Sequence, residues 1–355
     1  MSQFYPLTVQ DIRRETADCV SVALAVPAEL AAQFQFTQGQ YITLRTQLAG
    51  EEVRRSYSLC ASPLEHELRV AIKAVPGGRF STFANQALQV GDTLEVMPPE
   101  GRFYTPLDPA NRKHYVAFAA GSGITPVFSI MKTILAVEPH SRFTLFYGNQ
   151  RTESIIFREA IEGLKNTYLQ RLSVYYLLSQ EHTGSDLFSG RITRERCHLF
   201  CEKLFQPTAV DDFFLCGPEE MILEVREELL SQGVDRKHIH LELFGTTKPP
   251  VKKVRPQVSR SDFHTEVSIQ RDGNTFSFVM TDPEEKILDA ALRNGADLPF
   301  ACKGGVCCTC RAQITAGSAE MAINYALEPE EVAAGFVLTC QALPTSDRLV
   351  VNFDV

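Results

Sequence analysis

Four cysteines near the C-terminus constrain this chain more than any other feature of its sequence. They share the spacing C-x4-C-x2-C with a distant fourth cysteine: Cys302, Cys307, Cys310 and Cys340. This is the plant-type arrangement for a [2Fe–2S] cluster, in which each iron takes two thiolates besides the bridging sulfides. Gly304 and Gly305 allow the loop that carries three of these cysteines to wrap closely and to direct backbone N–H groups at sulfur. We therefore expect a cluster-binding domain at this end of the chain.

Two other interpretations of these cysteines stay open, a zinc site with four cysteine ligands and thiols that bind no metal. Zinc sites more often use paired C-x2-C units, and only one such unit is present here. Cys308 lies between two ligand positions, and we expect its side chain to point away and to bind no metal. The N-terminal stretch has no apolar core of a secretory signal, so we expect a cytoplasmic protein whose ten cysteines stay reduced.

The hydrophobic pattern divides the 355 residues into three segments and a linker. Residues 1–107 contain short alternating runs broken by Gly and Pro, which predict a small antiparallel β-barrel. In residues 108–245, strand-like runs alternate with helical patterns, which predicts an α/β domain on a parallel sheet. Residues 246–262 carry three prolines and a charge balance of +4, which is typical of an extended linker.

The last segment, residues 263–355, is expected to fold as an α+β domain. Two alternating runs around Asp272-Gly273 predict a hairpin, and the pattern from Glu284 to Asn294 predicts a helix that ends at Gly295. This segment has 13 acidic against 6 basic side chains, a balance of −7 out of the net −8 of the whole chain. Such a charge argues against nucleic acid as a partner and suits a partner with a basic docking face.

The most apolar stretch, residues 114–137, contains Gly-Ser-Gly, Pro126 and Lys132. A membrane-spanning helix needs about 20 predominantly apolar residues, so a buried strand followed by a helix is the better interpretation, and no membrane contact is expected. Thr125 is expected to cap this helix, and Pro126 suits its first turn.

Two short motifs in the first segment indicate a ligand that carries phosphate. Residues 55–58, Arg-Ser-Tyr-Ser, follow a predicted strand, where arginine can pair with a phosphate, tyrosine can stack and serine can hydrogen-bond a ring edge. Residues 77–82, Gly-Gly-Arg-Phe-Ser-Thr, can start a helix whose N–H groups hold an anion. Taken alone, the first motif is weak, and a surface patch on an edge strand remains an alternative.

Together these motifs resemble those of the ferredoxin-NADP reductase superfamily over about residues 1–245. Residues 263–355 resemble plant-type ferredoxin domains over their full length, including the gap of 29 residues between Cys310 and Cys340. The resemblance implies a β-grasp fold for the last segment and an FAD-binding barrel for the first, with FMN as the alternative because some relatives with a C-terminal ferredoxin domain use it. It also implies a set of residues that bind the flavin or its diphosphate: Arg55, Tyr57, Ser58, Ile72, Lys73, Gly78, Ser81 and Thr82.

The second segment carries two motifs for a nicotinamide nucleotide. Residues 121–126, Gly-Ser-Gly-Ile-Thr-Pro, begin like a Rossmann fingerprint, but proline replaces the third glycine, and a plain strand–helix turn stays open on this evidence. The same superfamily uses G-x-G-x-T-P at this place and C-G-P-x-x-M after the fourth strand, which is present here at residues 216–221. The resemblance therefore implies that NADH or NADPH is bound by Gly121, Gly123, Thr125, Pro126, Cys216, Gly217, Pro218 and Met221.

The resemblance implies further positions at the nucleotide site and near the flavin. Asn149 and Arg151 follow the second strand of the segment, where relatives bind the adenine ribose. Arg151 or Arg158 can receive a 2′-phosphate, although either is equally well a surface arginine. Glu242 and Phe244 end the fifth strand, where relatives often place an acid or an aromatic residue near the flavin, with core packing as the alternative for Phe244. The candidate catalytic residues are Ser58, Cys216 and Glu242.

The resemblance implies an electron-transfer reductase. NAD(P)H gives two electrons as a hydride and a [2Fe–2S] cluster takes one electron at a time, so a flavin is needed between them. The domain order, with residues 301–310 and 324–340, is similar to reductase components of multicomponent monooxygenases. This implies a di-iron oxygenase component that acts on an acyl-CoA as the electron acceptor. A reductase for another oxygenase or desaturase, a reductase for a hybrid iron–sulfur protein and a redox-sensing module remain as alternatives.

Overall fold

The computed structural model describes residues 4–182, 184–244 and 263–355 of the chain. The described residues belong to two compact units, one of residues 4–244 and one of residues 263–355. The predicted linker, residues 246–262, lies outside the described residues, and the boundaries of the three segments stay a prediction. No helix among the described residues is long and apolar enough to cross a membrane.

The first part of unit 4–244 is a six-stranded antiparallel sheet. Its elements are β1 (Tyr5–Thr16), β2 (Cys19–Ala25), β3 (Tyr41–Leu48), β4 (Glu51–Ser58), β5 (Leu68–Lys73), helix α1 (Arg79–Gln86) and β6 (Thr93–Val96). The strand order is β4-β3-β6-β1-β2-β5, and an antiparallel bridge between Leu59 and Val70 joins the two edges. Because the edges meet, the buried faces of the strands enclose one apolar core, as the predicted barrel requires.

One motif has a different setting from the one that we expected. Residues 55–58 do not follow a strand but form the last four residues of β4, where Tyr57 pairs with Ile42 and Ser58 pairs with Tyr41 of β3. Alternation along the strand therefore sends Arg55 and Tyr57 to one side of the sheet and Ser58 to the other.

The second part of unit 4–244 is a parallel five-stranded sheet with helices, as predicted. Its elements are β7 (His114–Ala120), α2 (Ile124–Val137), β8 (Arg142–Asn149), α3 (Arg158–Thr167), β9 (Leu172–Leu178), α4 (Arg194–Lys203), β10 (Asp212–Gly217), α5 (Glu219–Ser231) and β11 (Ile239–Leu243). The strand order β11-β10-β7-β8-β9 reverses direction at β7. In such sheets, ligands bind beyond the carboxyl ends of the strands at the point where the order reverses, here between β7 and β10.

Thr125 does not cap α2, contrary to our expectation. Gly123 occupies the N-cap position without a side-chain cap. The hydroxyl of Thr125 instead donates to the carbonyl oxygen of Ser122 at 3.0 Å. A turn of 3-10 helix over Gly121–Gly123 leads directly into α2, so residue 125 already lies inside the helix. Pro126 does lie in the first turn, as expected.

Unit 263–355 is a mixed five-stranded sheet with helices and a separate two-stranded ribbon. Its elements are β12 (Thr265–Arg271), β13 (Asn274–Met280), α6 (Ile287–Arg293), β14 (Arg311–Ala316), β15 (Ala319–Met321), α7 (Pro329–Ala333), β16 (Phe336–Leu338), β17 (Ala342–Pro344) and β18 (Arg348–Asn352). The sheet order is β13-β12-β18-β14-β16, and β15 pairs with β17. The predicted hairpin at Asp272-Gly273 is confirmed as β12 and β13. Cys310 and Cys340 lie in the apolar core of this unit.

Helix α6 starts later than the sequence pattern predicts. The backbone of Lys286 is still extended, with φ −83° and ψ 148°. The preceding residues form a turn in which Asp282 accepts the N–H groups of Glu284 on its side chain and of Glu285 on its carbonyl oxygen. The turn places Lys286 immediately before the helix. The N–H of Leu288 in the first turn of α6 donates to the carbonyl oxygen of Thr339, the residue before Cys340.

The turn before α2 lies against β10 with no space for a side chain. A Cβ atom placed on Gly123 would lie 2.1 Å from the carbonyl oxygen of Cys216 and 2.8 Å from the nitrogen of Gly217. Gly123→Ala is expected to push α2 away from β10 and to lower the free energy of unfolding by about 1–3 kcal/mol, measured by urea unfolding. Gly163→Ala is the matched control, because a Cβ at Gly163 in α3 meets no atom within 4 Å. That variant should unfold with an equal free energy or one up to about 1 kcal/mol higher. Equal losses in both variants would contradict the close approach.

Candidate cofactor and cluster sites

The candidate flavin residues converge where the end of β4 meets the start of α1. The rings of Tyr57 and Phe80 pack with centroids 5.6 Å apart, which fixes the tyrosine against α1. Gly78 is the N-cap of α1 and no side chain caps the first turn. Ser81 holds the preceding loop, because its Oγ accepts the N–H of Val75 at 3.2 Å. The start of α1 therefore presents backbone N–H groups of the kind that bind a phosphate anion.

The remaining flavin candidates lie near this helix start with different degrees of exposure. Arg55 and Thr82 are exposed, so each has a side chain that can reach a bound phosphate. The side chain of Ile72 is fully buried in the barrel core, and Asn85 donates to its carbonyl oxygen at 2.9 Å. The side chain of Ile72 therefore cannot contact a ligand, and only the backbone of β5 around it can do so. Lys73, the last residue of β5, pairs with Asp18 at 3.5 Å.

The three candidate catalytic residues come together from three strands. Ser58 Oγ donates to Glu242 Oε2 at 3.0 Å, which joins β4 of the barrel to β11 of the parallel sheet. Cys216 of β10 lies directly opposite Glu242 in the register of the parallel pair. Residues 58, 216 and 242 are far apart in sequence, so this cluster depends on the packing of barrel and sheet.

Burial controls the protonation of this cluster. Burial raises the pKa of Glu242 to about 8, and the hydrogen bond from Ser58 opposes that rise by stabilising the carboxylate. Burial, reinforced by the nearby Glu242, also raises the pKa of the Cys216 thiol well above its usual range. Cys216 therefore stays a neutral thiol, whereas Glu242 can gain or lose a proton near neutral pH. Phe244 follows β11 and is 45% exposed, so it does not pack in a core.

The candidate nucleotide residues lie at the carboxyl ends of β7, β8 and β10. Tyr147 of β8 donates through its hydroxyl to the carbonyl oxygen of Gly121 at 3.0 Å, which fixes the glycine turn after β7. The amide nitrogen Nδ2 of Asn149, at the end of β8, is buried and has no well-placed acceptor among the described residues. A buried amide without a partner is costly, and a bound nucleotide with oxygen acceptors would satisfy it. These residues therefore fit a dinucleotide.

The other nucleotide candidates lie around the same edge of the sheet. Pro218 is the N-cap of α5, and no side chain caps the first turn of that helix. The methyl group of Met221 packs closely against Gly217, because a Cβ on that glycine would lie 2.7 Å from Met221 Cε. Arg151 is exposed and its Nε donates to Gln180 Oε1 at 3.2 Å, which leaves the rest of its guanidinium toward solvent.

The four cluster cysteines form two pairs. The thiols of Cys302 and Cys307 are within hydrogen-bond reach of each other, and so are those of Cys310 and Cys340. Among the described residues, no three His, Cys, Asp or Glu side chains converge on one metal position. Two thiol pairs without one common centre fit a two-iron cluster, in which each iron takes two thiolates, better than a single tetrahedral zinc ion.

The loop around these thiols supplies positive partial charge. The N–H of Gly304 donates to Cys302 Sγ at 3.3 Å. The hydrogen bond from Cys307, followed by backbone N–H groups, lowers the pKa of Cys302 to about 6 despite its burial. Lys303, Gly305 and Cys308 have positive φ angles of 51°, 76° and 57°, which produce the tight wrapping of the loop. Cys308 points away from the thiol pairs, because its Sγ contacts the carbonyl oxygen of Ala326 at 3.4 Å.

Two residues of these sites escaped the sequence reasoning. Tyr147, which fixes the turn at Gly121, reads in the sequence as one more aromatic residue of a buried strand. Gln341 follows Cys340 directly, is 2% exposed and donates from Nε2 to Cys340 Sγ at 3.8 Å. Its only sequence signal is a glutamine within the mostly apolar residues 337–343, which also contain Thr339.

Comparison with known proteins gives one family model for each part of the chain. The Oxidoreductase FAD-binding domain matches residues 6–104, the Oxidoreductase NAD-binding domain matches residues 118–227, and the 2Fe-2S iron-sulfur cluster binding domain matches residues 269–345. These ranges contain the candidate residues at the end of β4, the turn at Gly121 and the four cysteines.

Several curated relatives match nearly the whole chain, among them the following two. A subunit of 1,2-phenylacetyl-CoA epoxidase of Escherichia coli (strain K12) is 44% identical over 354 residues, which is 100% of this chain and 99% of the relative. The ferredoxin reductase component of 3-ketosteroid-9-alpha-monooxygenase of Rhodococcus rhodochrous is 32% identical over 98% of this chain and 96% of its own length. The solved structure of phthalate dioxygenase reductase covers 99% of this chain and 98% of its own, with a TM-score of 0.59 at 23% identity. That structure supports the three-domain fold.

The adjacent cysteines 307 and 308 provide a test of the ligand set. Cys307→Ser is expected to lose most of the iron, the acid-labile sulfide and the visible absorption, because one iron then lacks a thiolate. Cys308→Ser should keep all three at the wild-type level, since its sulfur contacts a backbone carbonyl. Iron and sulfide assays with an absorption spectrum measure this. Loss of the cluster in Cys308→Ser, or its retention in Cys307→Ser, would contradict the assignment.

The pKa of Glu242 predicts how the stability of unit 4–244 depends on pH. Between pH 4.5 and about 8 the folded flavin-free chain holds a proton at Glu242 that the unfolded chain releases. Its stability should therefore fall as pH rises, by at most about 1.4 kcal/mol per pH unit from this group. In Glu242→Gln this contribution is absent, so the variant should gain stability relative to wild type between pH 5 and 9.

Urea unfolding of flavin-free protein at pH 5, 7 and 9 measures this difference. Glu153→Gln, which removes an exposed carboxylate, is the control and should follow the wild-type pH dependence. A difference between Glu242→Gln and wild type that stays constant across this range would show that Glu242 is already ionised at pH 5.

Proposed function

The chain belongs to the family of flavin and iron–sulfur reductases that pass electrons from NAD(P)H through FAD to a 2Fe-2S cluster, and we propose that its acceptor is the di-iron oxygenase of a phenylacetyl-CoA epoxidase. The observation that carries the proposal is the 44% identity to one component of such an enzyme, which extends over all three domains. Shared identity in the last domain matters most here, because that domain delivers the electrons. The coarser conclusion, an oxygenase as partner, is supported by the steroid monooxygenase reductase as well.

We propose that FAD lies across the end of β4 with its diphosphate at the start of α1. Tyr57 is held by Phe80 in a position to pack on a flat ring. The exposed Arg55 donates from Nη1 to the carbonyl oxygen of Arg54 at 2.6 Å and has further N–H groups for a phosphate. Gly78, Ser81 and Thr82 surround the uncapped first turn of α1. A flavin bound there supplies the link between a two-electron hydride donor and a one-electron carrier.

The residues Ser58, Cys216 and Glu242 are proposed to form the floor on which nicotinamide and flavin meet. The neutral thiol of Cys216 offers a small apolar surface. Because it carries no negative charge, it does not repel a hydride. Ser58 Oγ donates to Glu242 Oε2 between barrel and sheet, and the Glu242 carboxyl can hold or release a proton there. Gly121, Gly123 and Asn149 line the neighbouring end of the sheet, where Asn149 can bind an oxygen of the nucleotide.

For the cluster we propose that Cys302 and Cys307 bind one iron and that Cys310 and Cys340 bind the other. The pairing of the thiols in the structure supports this division. The hydroxyl of Thr339 donates to the carbonyl oxygen of Cys310 at 3.0 Å, which fixes the second pair. The acidic surface of the same domain is proposed to dock on a basic face of the oxygenase.

Reconstitution with the oxygenase tests the acceptor. The chain, NAD(P)H, O2, phenylacetyl-CoA and the candidate oxygenase component are expected to give NAD(P)H oxidation coupled to product formation. The rate should fall steeply with added salt, because docking between acidic and basic faces is screened. The control variant is Cys307→Ser, which should still reduce ferricyanide with NAD(P)H but should not reduce cytochrome c or support turnover.

Three results would contradict the proposal at different levels. Coupled turnover with a steroid hydroxylase or a desaturase but not with the phenylacetyl-CoA enzyme would reassign the acceptor. Reduction of a hybrid iron–sulfur protein at a higher rate than any oxygenase would do the same. Unchanged cytochrome c reduction in Cys307→Ser would show that electrons leave from the flavin and not from the cluster.

A further inference from the structure

The side chain of Gln341 lies buried under the cysteine loop, and the functions assigned so far do not use it. It is 2% exposed and directly follows Cys340. A Cβ atom on Gly305 would lie 3.1 Å from Gln341 Cγ, and the φ of Gly305 is +76°. The cysteine loop therefore passes over Gln341 at Gly305. As a result, the amide group of Gln341 lies inside the loop.

Both ends of the Gln341 amide have partners in different segments. Nε2 donates to the carbonyl oxygen of Lys303 at 2.7 Å, inside the cysteine loop. It also approaches Cys340 Sγ at 3.8 Å, a long contact of the kind made to sulfur. Oε1 accepts a hydrogen bond from Lys286 Nζ at 2.9 Å, immediately before α6. One amide thus connects a lysine ammonium to a proposed cluster ligand.

The ammonium of Lys286 differs from the two cations that are next to it in the sequence. Lys303 pairs with Asp289 at 2.8 Å, and Arg293 pairs with Glu285 at 2.8 Å. Across the described ranges, no carboxylate lies within 4 Å of the half-buried Lys286 ammonium. Its charge is therefore directed to the amide of Gln341 without being neutralised by an adjacent anion.

We propose that Lys286 is a positioning residue that raises the reduction potential of the cluster by acting through Gln341. The ammonium polarises the amide, so that Nε2 carries more positive charge toward Cys340 Sγ and the loop. Reduction adds one electron to the cluster, with no bond broken and no proton required by this step, and the electron comes from NAD(P)H through the flavin. A positive charge nearby stabilises the form with the extra electron.

The size of the effect follows from Coulomb's law. A unit charge that acts across one hydrogen-bonded amide, at an effective dielectric constant of about 20, changes a one-electron equilibrium by an order of magnitude. Lys286→Met is therefore expected to lower the ratio of reduced to oxidised cluster about tenfold at fixed poise, which is about 59 mV for one electron.

The measurement is a redox titration of the full chain with its cofactors bound, followed by the EPR signal of the reduced cluster. Lys286→Arg keeps the charge and should return the potential close to that of wild type. Arg293→Met is the matched control, because it removes one cation from α6, the helix that follows Lys286, and that cation is already paired with Glu285. Its potential should shift much less than that of Lys286→Met.

Gln341→Leu and the double variant test whether the effect passes through the amide. If Lys286 acts through Gln341, the shifts of Lys286→Met and Gln341→Leu are not additive, and the double variant resembles Gln341→Leu alone. Additive shifts would overturn the relay. So would equal potentials for Lys286→Met and wild type, or equal shifts for Lys286→Met and Arg293→Met.

This inference rests on the four-cysteine ligand set proposed above, and iron and acid-labile sulfide are measured first to separate the two. Wild-type protein without iron and sulfide would contradict the ligand set and leave no cluster for Lys286 to influence. Should Lys286→Met bind less iron than wild type, Lys286→Gln replaces it in the same comparison, because it keeps an N–H donor without the charge. A wild-type potential in fully loaded Lys286→Gln would then overturn the proposal.

Discussion

The backbone at Gly123 lies so close to the carbonyl of Cys216 that no side chain fits between them. The arrangement of the three candidate catalytic residues depends on this contact. It brings the turn after β7 against the end of β10, which is where the order of the parallel sheet reverses. With those two strand ends together, Cys216 and Gly217 lie beside the glycine turn, and β11 places Glu242 opposite Cys216. The bond from Ser58 to Glu242 then joins the barrel to the same surface. One backbone contact therefore sets the distance between the proposed nicotinamide and flavin positions.

The chemistry of a hydride donor and a one-electron acceptor requires two very different environments, and the chain keeps them in separate units. Around Cys216 and Glu242, burial suppresses charge, as the raised pKa values of both groups show. Around Cys302, a hydrogen bond from the Cys307 thiol, followed by backbone N–H groups, favours the thiolate, and the pKa of that half-buried cysteine is lowered. A thiol is neutral in one unit and a thiolate is favoured in the other because hydrogen-bond donors, not burial alone, decide which form is stable.

The cluster ligands could be predicted from the sequence more completely than the geometry around them. The spacing of the four cysteines predicts a two-iron site, and the structure adds that they lie as two pairs. Motifs also located the glycine turn, the hairpin and the class of each sheet. Local boundaries were less predictable, because they depend on hydrogen bonds between neighbours. The turn at Asp282 delays α6, and the 3-10 turn at Gly121–Gly123 removes Thr125 from the cap. Gln341 could not be identified at all, since its importance arises from three partners that are 1, 38 and 55 residues away.

Charged and polar groups of the last domain act in two ways: exposed carboxylates can attract a partner, and buried donors can stabilise the cluster. Salt screens the first effect more than the second. The acidic side chains that give this segment its balance of −7 are mostly exposed, so salt screens their field within about 8 Å at physiological ionic strength. They can attract a partner without strongly opposing an extra electron on the cluster. Groups of the opposite kind lie around the thiols: backbone N–H groups and the amide of Gln341 contact sulfur, and the half-buried ammonium of Lys286 contacts that amide. Such groups are screened less. The backbone N–H groups and the Gln341 amide act on sulfur over a single hydrogen bond, and we propose that Lys286 acts through that amide. Substitutions on this exposed surface can therefore alter the docking of an acceptor while the buried donors keep their effect on the proposed cluster.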